Sequence, residues 1–341
     1  MAQSKLQLDE FDFKFESCAT MAVLGKRRTG KSTLGNFVMC RLVERGLKRI
    51  TVFCGNKDNM VEWQRIVHPL FVHGADIDKI TEIVDYQEKR VGADSAAHEA
   101  RETEKQKYDR NYLPQKYEVP LHLQVGIVFD DLGSNKKIMK HDRISFMSIN
   151  GRHLGIVLIQ LNQYIVQLPP DCRDQQDYIF VLQMSNAKGV DRLYNEYVTD
   201  ACVEKKHFGY ILSACTGKRG KCLLIDNTAG YTIQERLKYV KIPYPPHREF
   251  IGSRQYIKYG KKHYLSEQNR KVNQPIQTPM ERNYTNQFDE NSYIPSEMTN
   301  SSSVVSLDRN KHYDVNKIRE GREMFRDKKG NLVEVHLTGG K

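Results

Sequence analysis

The feature that most constrains this chain is a short glycine-rich segment, GKRRTGKS, which runs from Gly25 to Ser32 and fits the pattern G-x-x-x-x-G-K-[ST]. An apolar run from Ala19 to Leu24 leads directly into it, and a stretch of helical periodicity from Ser32 to Glu44 leaves it. Glycines let successive backbone N–H groups turn toward an anion, and a helix N-terminus adds partial positive charge there. The segment therefore predicts a phosphate-binding loop between a strand and a helix.

Residues of this loop are the expected contacts of ATP. Lys31 is expected to reach the β- and γ-phosphates, and the Ser32 hydroxyl is expected to bind Mg²⁺. A glycine-containing surface turn that carries a lysine is the alternative, which the flanking strand and helix disfavour. The full predicted nucleotide-binding set is Gly25, Lys26, Arg27, Arg28, Thr29, Gly30, Lys31, Ser32 and Thr33.

A second segment, VGIVFDD from Val125 to Asp131, is an apolar strand that ends in two carboxylates. We expect Asp130 to hold Mg²⁺ through water beside Ser32, and Asp131 to polarise an attacking water. Adjacent strand residues point to opposite faces, which predicts different roles for the two acids. An ordinary Asp-rich turn is the alternative for this segment taken alone.

A third segment, from Gly151 to Gln163, is an arginine-led apolar strand with amides at its end. Ligands of open α/β sheets lie beyond the carboxyl ends of the strands, where Asn162 and Gln163 would be. An amide there can donate to a γ-phosphate or to the attacking water without adding charge. The alternative is that these polar side chains only form hydrogen bonds within the turn that follows the strand.

Short apolar runs alternate with helix-length segments from about residue 18 to 235. This βαβ rhythm predicts an α/β fold with a mostly parallel sheet and helices on both faces. The predicted strands are 19–24, 49–54, 121–130, 155–162, 178–183 and 222–226.

The composition bears on compartment and partner. Lysine and arginine number 53 against 42 aspartate and glutamate, a net charge of +11 that favours a polyanionic partner. No apolar run approaches the ~18 residues of a membrane span, and no basic leader precedes residue 17, so we expect neither membrane insertion nor secretion. The seven cysteines form no C-x-x-C pair, which predicts free thiols.

Changes in composition predict the domain boundaries. The P-loop domain is expected to span 18–240 after an N-terminal segment, 1–17, with a charged helical insertion at about 76–118. In that insertion we expect a short amphipathic helix followed by a solvated one. The predicted segments after the domain are a basic-aromatic connector at 241–265, a flexible polar linker at 266–306, and a small element at 307–341 with a hairpin at 324–338 that turns at 329–330.

Taken in order, GKRRTGKST, IVFDDL, GRHLGIVLIQLNQY and LPPDCRDQQDYIFVL resemble the genome-packaging ATPases of large eukaryotic DNA viruses and virophages, within the FtsK/HerA-like clade of DNA-pumping P-loop motors. The resemblance covers about Ala19 to Thr228. It implies that the strand ending at Gln163 (the sensor strand) lies between the phosphate-loop strand and the strand ending at Asp130 (the acidic strand). Gln163 would then lie between Lys31 and Asp131.

The resemblance also implies residue roles. Asp131 would polarise the attacking water, and Gln163 would sense the γ-phosphate. Arg152 would be a finger that reaches a neighbouring subunit, with Arg173 as its rival. An ion pair or a helix cap is the alternative for Arg152. The acidic strand ends in Asp-Asp, where related cellular motors have Asp-Glu.

The implied partners are double-stranded DNA, a homo-oligomeric ring of this chain, and a capsid or portal protein, with no membrane. The implied location is the host cytoplasm, a viral factory or the virion. The sequence is also compatible with two other functions. One is a small-molecule P-loop kinase, and the other is a non-enzymatic, basic, nucleotide-binding structural protein.

Overall fold

The computed structural model describes residues 8–109, 111–184, 186–199, 205–230, 232–242 and 250–273, together with four short strands between 304 and 336. The chain divides into two units, Met1–Met280 and Glu281–Lys341. The first unit contains the phosphate loop and the acidic and sensor strands, and the described residues of the second are all in paired strands.

The described part of the first unit is built on one eight-stranded sheet. Its strands are β1 (Thr20–Leu24), β2 (Arg49–Cys54), β3 (Val72–His73), β4 (Val125–Asp130), β5 (Ile156–Asn162), β6 (Tyr178–Val181), β7 (Lys221–Asp226) and β8 (Leu237–Lys241).

The strand order is β3-β2-β4-β5-β1-β6-β7-β8. Strands from β3 through β6 run parallel, whereas β7 and β8 are antiparallel additions at one edge. The sensor strand β5 lies between the phosphate-loop strand β1 and the acidic strand β4, so the predicted α/β architecture and strand order are confirmed.

Helices cover both faces of this sheet. In the described residues they are α1 (Lys31–Glu44), α2 (Lys57–Gln64), α3 (Ile77–Tyr108), α4 (Lys136–Met139), α5 (Asp142–Asn150), α6 (Pro170–Asp174), α7 (Ala187–Tyr197), α8 (Lys205–Thr216), α9 (Ile233–Arg236) and α10 (Arg254–Asn273). None of these helices is both long enough and apolar enough to cross a membrane.

Successive side chains of β1 point to opposite faces of the sheet, and each face has its own apolar packing. Ala22 and Leu24 join one apolar cluster, to which α3, α5, α7 and α8 contribute Ile80, Ile144, Leu193 and Phe208. On the other face α1 lies so close to β5 that a Cβ at Gly35 would sit 3.2 Å from the Leu161 side chain. Both faces of β1 are therefore buried, as its unbroken apolar sequence predicts.

Four elements, β3, β4, β8 and α3, differ from the sequence expectation. β4 begins at Val125, because Leu121–Leu123 forms a 3₁₀ turn after Pro120. β3 and β8 were not predicted, since neither has an apolar run of the usual strand length. In place of the two expected helices, the charged insertion contains one continuous helix, α3, which Asp76 caps at its N-terminus.

The end of α3 is not fully solvated, because Glu102 is buried there. Its carboxylate accepts hydrogen bonds from the Tyr112 hydroxyl at 2.7 Å and the Gln115 backbone N–H at 2.8 Å. Lys105 donates to the other carboxylate oxygen at 2.8 Å. Glu102 thus ties the segment that follows α3 back onto the helix.

Segments outside the predicted P-loop domain also contribute to the first unit. Phe11 and Phe13 are buried, and the Phe11 N–H donates to the Tyr239 carbonyl in β8 at 2.9 Å. α10 begins within the predicted connector and packs on the Pro69–Phe71 turn, where Tyr256 stacks on Phe71. The domain boundaries themselves stay predictions.

In the second unit, β9 (Val304–Asp308) pairs antiparallel with β10 (Lys311–Asp314), and β11 (Arg322–Arg326) pairs antiparallel with β12 (Leu332–His336). The second pair overlaps the hairpin expected at 324–338, and its expected turn at 329–330 lies outside the described residues. Most of the predicted polar linker, 274–303, also lies outside them.

Candidate nucleotide site

The phosphate loop joins β1 to α1 and leaves the start of α1 open to an anion. Gly30 precedes the helix with φ +102°, a left-handed conformation that favours glycine. Within the described residues of this turn, no side chain caps the helix and no acidic residue occupies its first turn. The first backbone N–H groups and the positive end of the helix dipole therefore remain available for phosphate.

Neighbouring strands fix the start of the loop. The Gly25 N–H donates to the Asn162 carbonyl at 3.2 Å, and the Leu182 N–H donates to the Leu24 carbonyl at 2.8 Å. A Cβ at Gly25 would lie 2.9 Å from the Leu182 Cβ and 2.8 Å from the Thr29 hydroxyl, so a side chain there would displace the loop. Lys26, Arg27 and Arg28 are exposed at its tip.

Lys31 turns back over the loop that precedes it. Its Nζ donates to the carbonyls of Gly25 and Lys26, both at 2.9 Å. Burial lowers the pKa of Lys31, and the negative charges of Asp130 and Asp131 oppose that shift. The ammonium is thus held at the centre of the loop, close to both carboxylates, where phosphate oxygens could replace the two carbonyls as acceptors.

Asp130 is the last residue of β4 and is buried. Its Oδ2 accepts a hydrogen bond from the Trp63 indole Nε1 at 2.7 Å and faces the Ser32 hydroxyl at 3.4 Å. Burial raises the pKa of Asp130, while the Trp63 hydrogen bond and the Lys31 charge act in the opposite direction. The predicted pair of Ser32 and Asp130 therefore meets across the loop.

Trp63 is a site residue that the sequence motifs do not predict. The available signal was the single tryptophan of the chain, which lies in the otherwise polar segment KDNMVEWQ directly after β2. A tryptophan that is buried on such a helix usually has an acceptor for its N–H.

Asp131 lies just beyond the strand in a left-handed conformation, with φ +58°. Its N–H donates to the Leu161 carbonyl at 3.0 Å, and its carboxylate accepts from Gln163 Nε2 at 3.2 and 3.3 Å. The two acids have different partners, as expected, but strand alternation is not the reason. The backbone turn after Asp130 directs the second carboxylate toward the end of β5.

The turn after β5 holds Gln163 in place. The Gln167 side-chain oxygen accepts from the Gln163 N–H at 2.7 Å and from the Tyr164 N–H at 3.0 Å. The turn after β4 packs directly against it, since a Cβ at Gly133 would lie 2.7 Å from the Asn162 side-chain oxygen. Asp131 and Gln163 are therefore held by two turns in contact.

Ser32 and Asp130 offer the donor set that Mg²⁺ prefers, a hydroxyl and a carboxylate oxygen. No group of three or more His, Cys, Asp or Glu residues in the described parts of the chain could enclose a metal ion. Mg²⁺ commonly binds through one or two protein oxygens, completing its shell with phosphate and water. The residues fit a magnesium ion that arrives with a nucleotide.

Arg152 precedes the amino end of β5. The phosphate loop lies at the opposite, carboxyl ends of the parallel strands. It forms an ion pair with Asp177, whose other oxygen accepts from the Thr20 N–H at 2.8 Å. The Arg152 side chain is nevertheless 58% exposed. The seven residues of β5 span about 20 Å, so Arg152 cannot reach its own chain's loop.

Arg173 also lies away from the loop. Its Nη1 contacts Glu196 Oε1 at 2.6 Å, and its Nε donates to the Leu168 carbonyl at 2.9 Å. Its side chain is only 17% exposed. The structure thus brings the phosphate loop together with Asp130, Asp131 and Gln163, and leaves both arginines outside this group.

In the part of the basic-aromatic connector that forms α10, aromatic and basic residues lie on different sides of the helix. Tyr256 and Tyr259 are buried on one side of α10, so their rings do not face the solvent, where a nucleic acid could contact them. The Tyr256 hydroxyl instead donates to the Ile50 carbonyl of β2. The exposed side of the helix carries the basic residues Arg254, Lys258, Lys261 and Lys262.

No protein-family model matches the chain. Uncharacterized protein 075L of Invertebrate iridescent virus 6 is 25% identical over 259 residues, which cover 75% of this chain and 90% of the relative. An uncharacterized protein of Acanthamoeba polyphaga mimivirus is 27% identical over 275 residues, which cover 79% and 88%. These relatives are viral proteins.

Among solved structures, the genome packaging NTPase B204 from Sulfolobus turreted icosahedral virus 2 in complex with sulfate has a TM-score of 0.43 and 14% identity, covering 67% of this chain and 98% of that one. EssC (ATPases 2 and 3) from Geobacillus thermodenitrificans has a TM-score of 0.46 and 11% identity, covering 94% and 54%.

Proposed function

We propose that the chain is an ATP-hydrolysing motor that translocates double-stranded DNA and packages a viral genome into a capsid. The observation that carries the ATPase part is the meeting of Lys31, Ser32, Asp130, Asp131 and Gln163 at the carboxyl edge of β1, β4 and β5. Charge-neutralising, metal-binding and water-activating groups are all present in that set.

In the proposed reaction, the loop N–H groups and Lys31 hold the triphosphate of ATP and neutralise its β- and γ-oxygens. Bound Mg²⁺, held by Ser32 and Asp130, would supply further positive charge at the phosphates. Asp131 accepts the proton of the attacking water, and Gln163 orients that water against the γ-phosphate. The present Gln163–Asp131 contact keeps both groups in reach of one water molecule.

The DNA part of the proposal is supported by charge. Arg254, Lys258, Lys261 and Lys262 follow helical spacing along one exposed side of α10, and the whole chain carries a net charge of +11. Lysine and arginine side chains bind duplex DNA mainly through its phosphates. The resemblance of the ordered motifs to DNA-packaging motors, and the viral origin of the relatives, favour duplex DNA over other polyanions.

The proposal includes a ring of identical subunits. Phosphoryl transfer of this kind is accelerated by a second positive charge near the γ-phosphate, which a neighbouring subunit can supply. Arg152 is exposed at the far edge of the sheet and is the candidate for that charge, with Arg173 as the more buried rival. A capsid or portal protein would complete the assembly, at a viral factory or in the cytoplasm of the host.

The experiment that tests the proposal is steady-state ATP hydrolysis with and without linear duplex DNA, at several protein concentrations. We expect DNA to stimulate turnover and specific activity to rise with concentration. Lys31→Ala is the inactive reference, and Lys89→Ala, an exposed lysine on α3, is the matched control. Stimulation by a metabolite instead of DNA would indicate a kinase. Turnover below about 10⁻³ per second in all conditions would indicate a nucleotide-binding structural protein.

A further inference from the structure

We propose that Trp63 is a positioning residue for magnesium, because its indole N–H fixes the Asp130 carboxylate in the orientation that meets Ser32. The inference rests on the proposed nucleotide site. It assigns a role to a side chain outside the phosphate loop and outside the acidic and sensor strands.

The element that carries Trp63 is anchored beside Asp130 in two ways. α2 leaves the end of β2, which is paired with β4, and Asn56 caps it by accepting from the Asn59 N–H at 2.8 Å. The Gly55 N–H, at the turn between β2 and α2, donates to the Asp130 carbonyl at 2.8 Å. The turn therefore holds the Asp130 backbone, and α2 brings an indole to its side chain.

The indole contact restricts the rotation of the carboxylate. Trp63 is only 1% exposed, and its Nε1 lies 2.7 Å from Asp130 Oδ2. The Ser32 hydroxyl approaches the same oxygen at 3.4 Å from the other side of the loop. Oδ2 is thus held between the indole and the hydroxyl, the arrangement in which one ion could meet both Ser32 and Asp130.

The chemistry of the donor matters as much as its position. An indole N–H donates one hydrogen bond and carries no charge. A lysine or arginine at this position would neutralise Asp130 and compete with a cation, whereas Trp63 orients the carboxylate and leaves its full negative charge. Groups that orient a metal ligand in this way typically contribute 10–100-fold to metal affinity.

The first test measures binding rather than turnover. The affinity for the non-hydrolysable analogue AMP-PNP is determined by calorimetry in MgCl₂ and in EDTA, for wild type and Trp63→Phe. We expect the gain in affinity that magnesium provides to fall by roughly 10–100-fold in the variant. The affinity in EDTA should change less than about twofold, because Lys31 and the loop hold the phosphates.

Two further variants separate positioning from mere packing. Phe180→Leu truncates another fully buried aromatic side chain, on β6, and should lower the melting temperature while leaving the magnesium-dependent gain unchanged. In Asp130→Asn the gain should already be lost, so adding Trp63→Phe should reduce it no further. Equal weakening of binding in MgCl₂ and EDTA, or additive losses in the double variant, would overturn the inference.

A second measurement needs no substitution at position 63. Trp63 is the only tryptophan in the sequence, so intrinsic fluorescence reports on the Asp130 contact. Adding MgCl₂ to wild type saturated with AMP-PNP in EDTA should shift its emission, and Asp130→Asn should abolish that shift. If the wild-type emission does not change, the role of Trp63 is contradicted but the proposed function is not. A wild type that binds no AMP-PNP in either condition would overturn the proposed function as well.

Discussion

Gln163 donates its side-chain N–H to both oxygens of Asp131, at 3.2 and 3.3 Å, although the two residues follow different strands. The contact exists because β4 and β5 are neighbours and the backbone turns into the left-handed region at Asp131. The candidate base and the candidate γ-phosphate sensor are thus hydrogen-bonded to each other.

Asp131→Asn should preserve nucleotide binding and slow hydrolysis. Asparagine tolerates a left-handed backbone and its oxygen can still accept from Gln163, so the turn should keep its shape. Loss of the base should reduce kcat by about 10²–10⁴-fold while AMP-PNP affinity stays near that of wild type. Single-turnover hydrolysis and calorimetry measure the two quantities. Wild-type turnover in this variant would exclude Asp131 as the base.

Lys31→Ala should abolish turnover and weaken nucleotide binding. The substitution removes the charge that opposes the β- and γ-phosphates and also both hydrogen bonds to the loop carbonyls of Gly25 and Lys26. Lys89→Ala, on the exposed side of α3, should retain wild-type activity. Steady-state ATPase assays compare them, and comparable activity in both variants would remove the loop from the mechanism.

Arg152→Ala should inactivate neighbouring subunits. If the arginine acts across an interface, mixing the variant with wild type should depress activity beyond simple dilution, since a trans arginine can contribute ~10³-fold or more. Specific activity of the wild type should rise with concentration. Strictly additive mixing, with activity independent of concentration, would restrict Arg152 to its ion pair with Asp177.

Two neighbouring substitutions serve as controls for that experiment. Asp177→Asn can still accept from the Thr20 N–H but loses the ion pair, so it should release Arg152 and keep activity if the arginine acts in trans. Arg173→Ala loses its contacts with Glu196 and Leu168, so it should lower the melting temperature while its mixtures stay additive. The reverse pattern would make Arg173 the finger.

Replacing the four basic residues on the exposed side of α10 by alanine should weaken DNA binding and flatten its salt dependence. Each lost phosphate contact should reduce the slope of log K against log salt by about 0.9. A control variant removes the exposed lysines 89, 107 and 116, in and after α3. Fluorescence anisotropy with labelled duplex across salt concentrations compares them. An unchanged slope for the α10 variant, with a reduced slope for the control, would move the contact to the charged insertion.

Stability should depend on Glu102 in a defined pH range. Its hydrogen bonds with Lys105, the Gln115 N–H and Tyr112 lower the pKa of Glu102 from 4.5 to about 2. The folded state therefore favours the ionised form, which stabilises it above pH 4.5 and progressively less as the pH falls toward 2. Glu102→Gln should lower the melting temperature at pH 7 and match wild type near pH 2. An equal difference at both pH values would contradict this assignment.

Local features of the fold and site could be predicted from sequence, because they depend on short segments. The phosphate loop, the helix that follows it and the acidic strand each have a pattern within a dozen residues. Gln163 could be placed beside Asp131 only through the resemblance of the ordered motifs, because strand order depends on contacts between distant segments. β3 and β8 are too short or too polar to give a strand pattern.

The remaining features depend on three-dimensional packing. The left-handed turn at Asp131 and the contact between Trp63 and Asp130 join segments that no local rule connects. The spacing of three between Tyr256 and Tyr259 is itself the pattern of a helix that buries one side. The basic residues of the opposite side are interleaved with these two tyrosines in the sequence and mask that pattern.

The central strand β5 carries the candidate sensor at one end and Arg152 just before the other. It is hydrogen-bonded along both edges, to β4 and β1, and all seven of its residues are buried, so one buried element of the sheet joins these two positions. In the proposed ring, the candidate sensor of one nucleotide and the arginine offered to the next would therefore lie at opposite ends of the same buried strand.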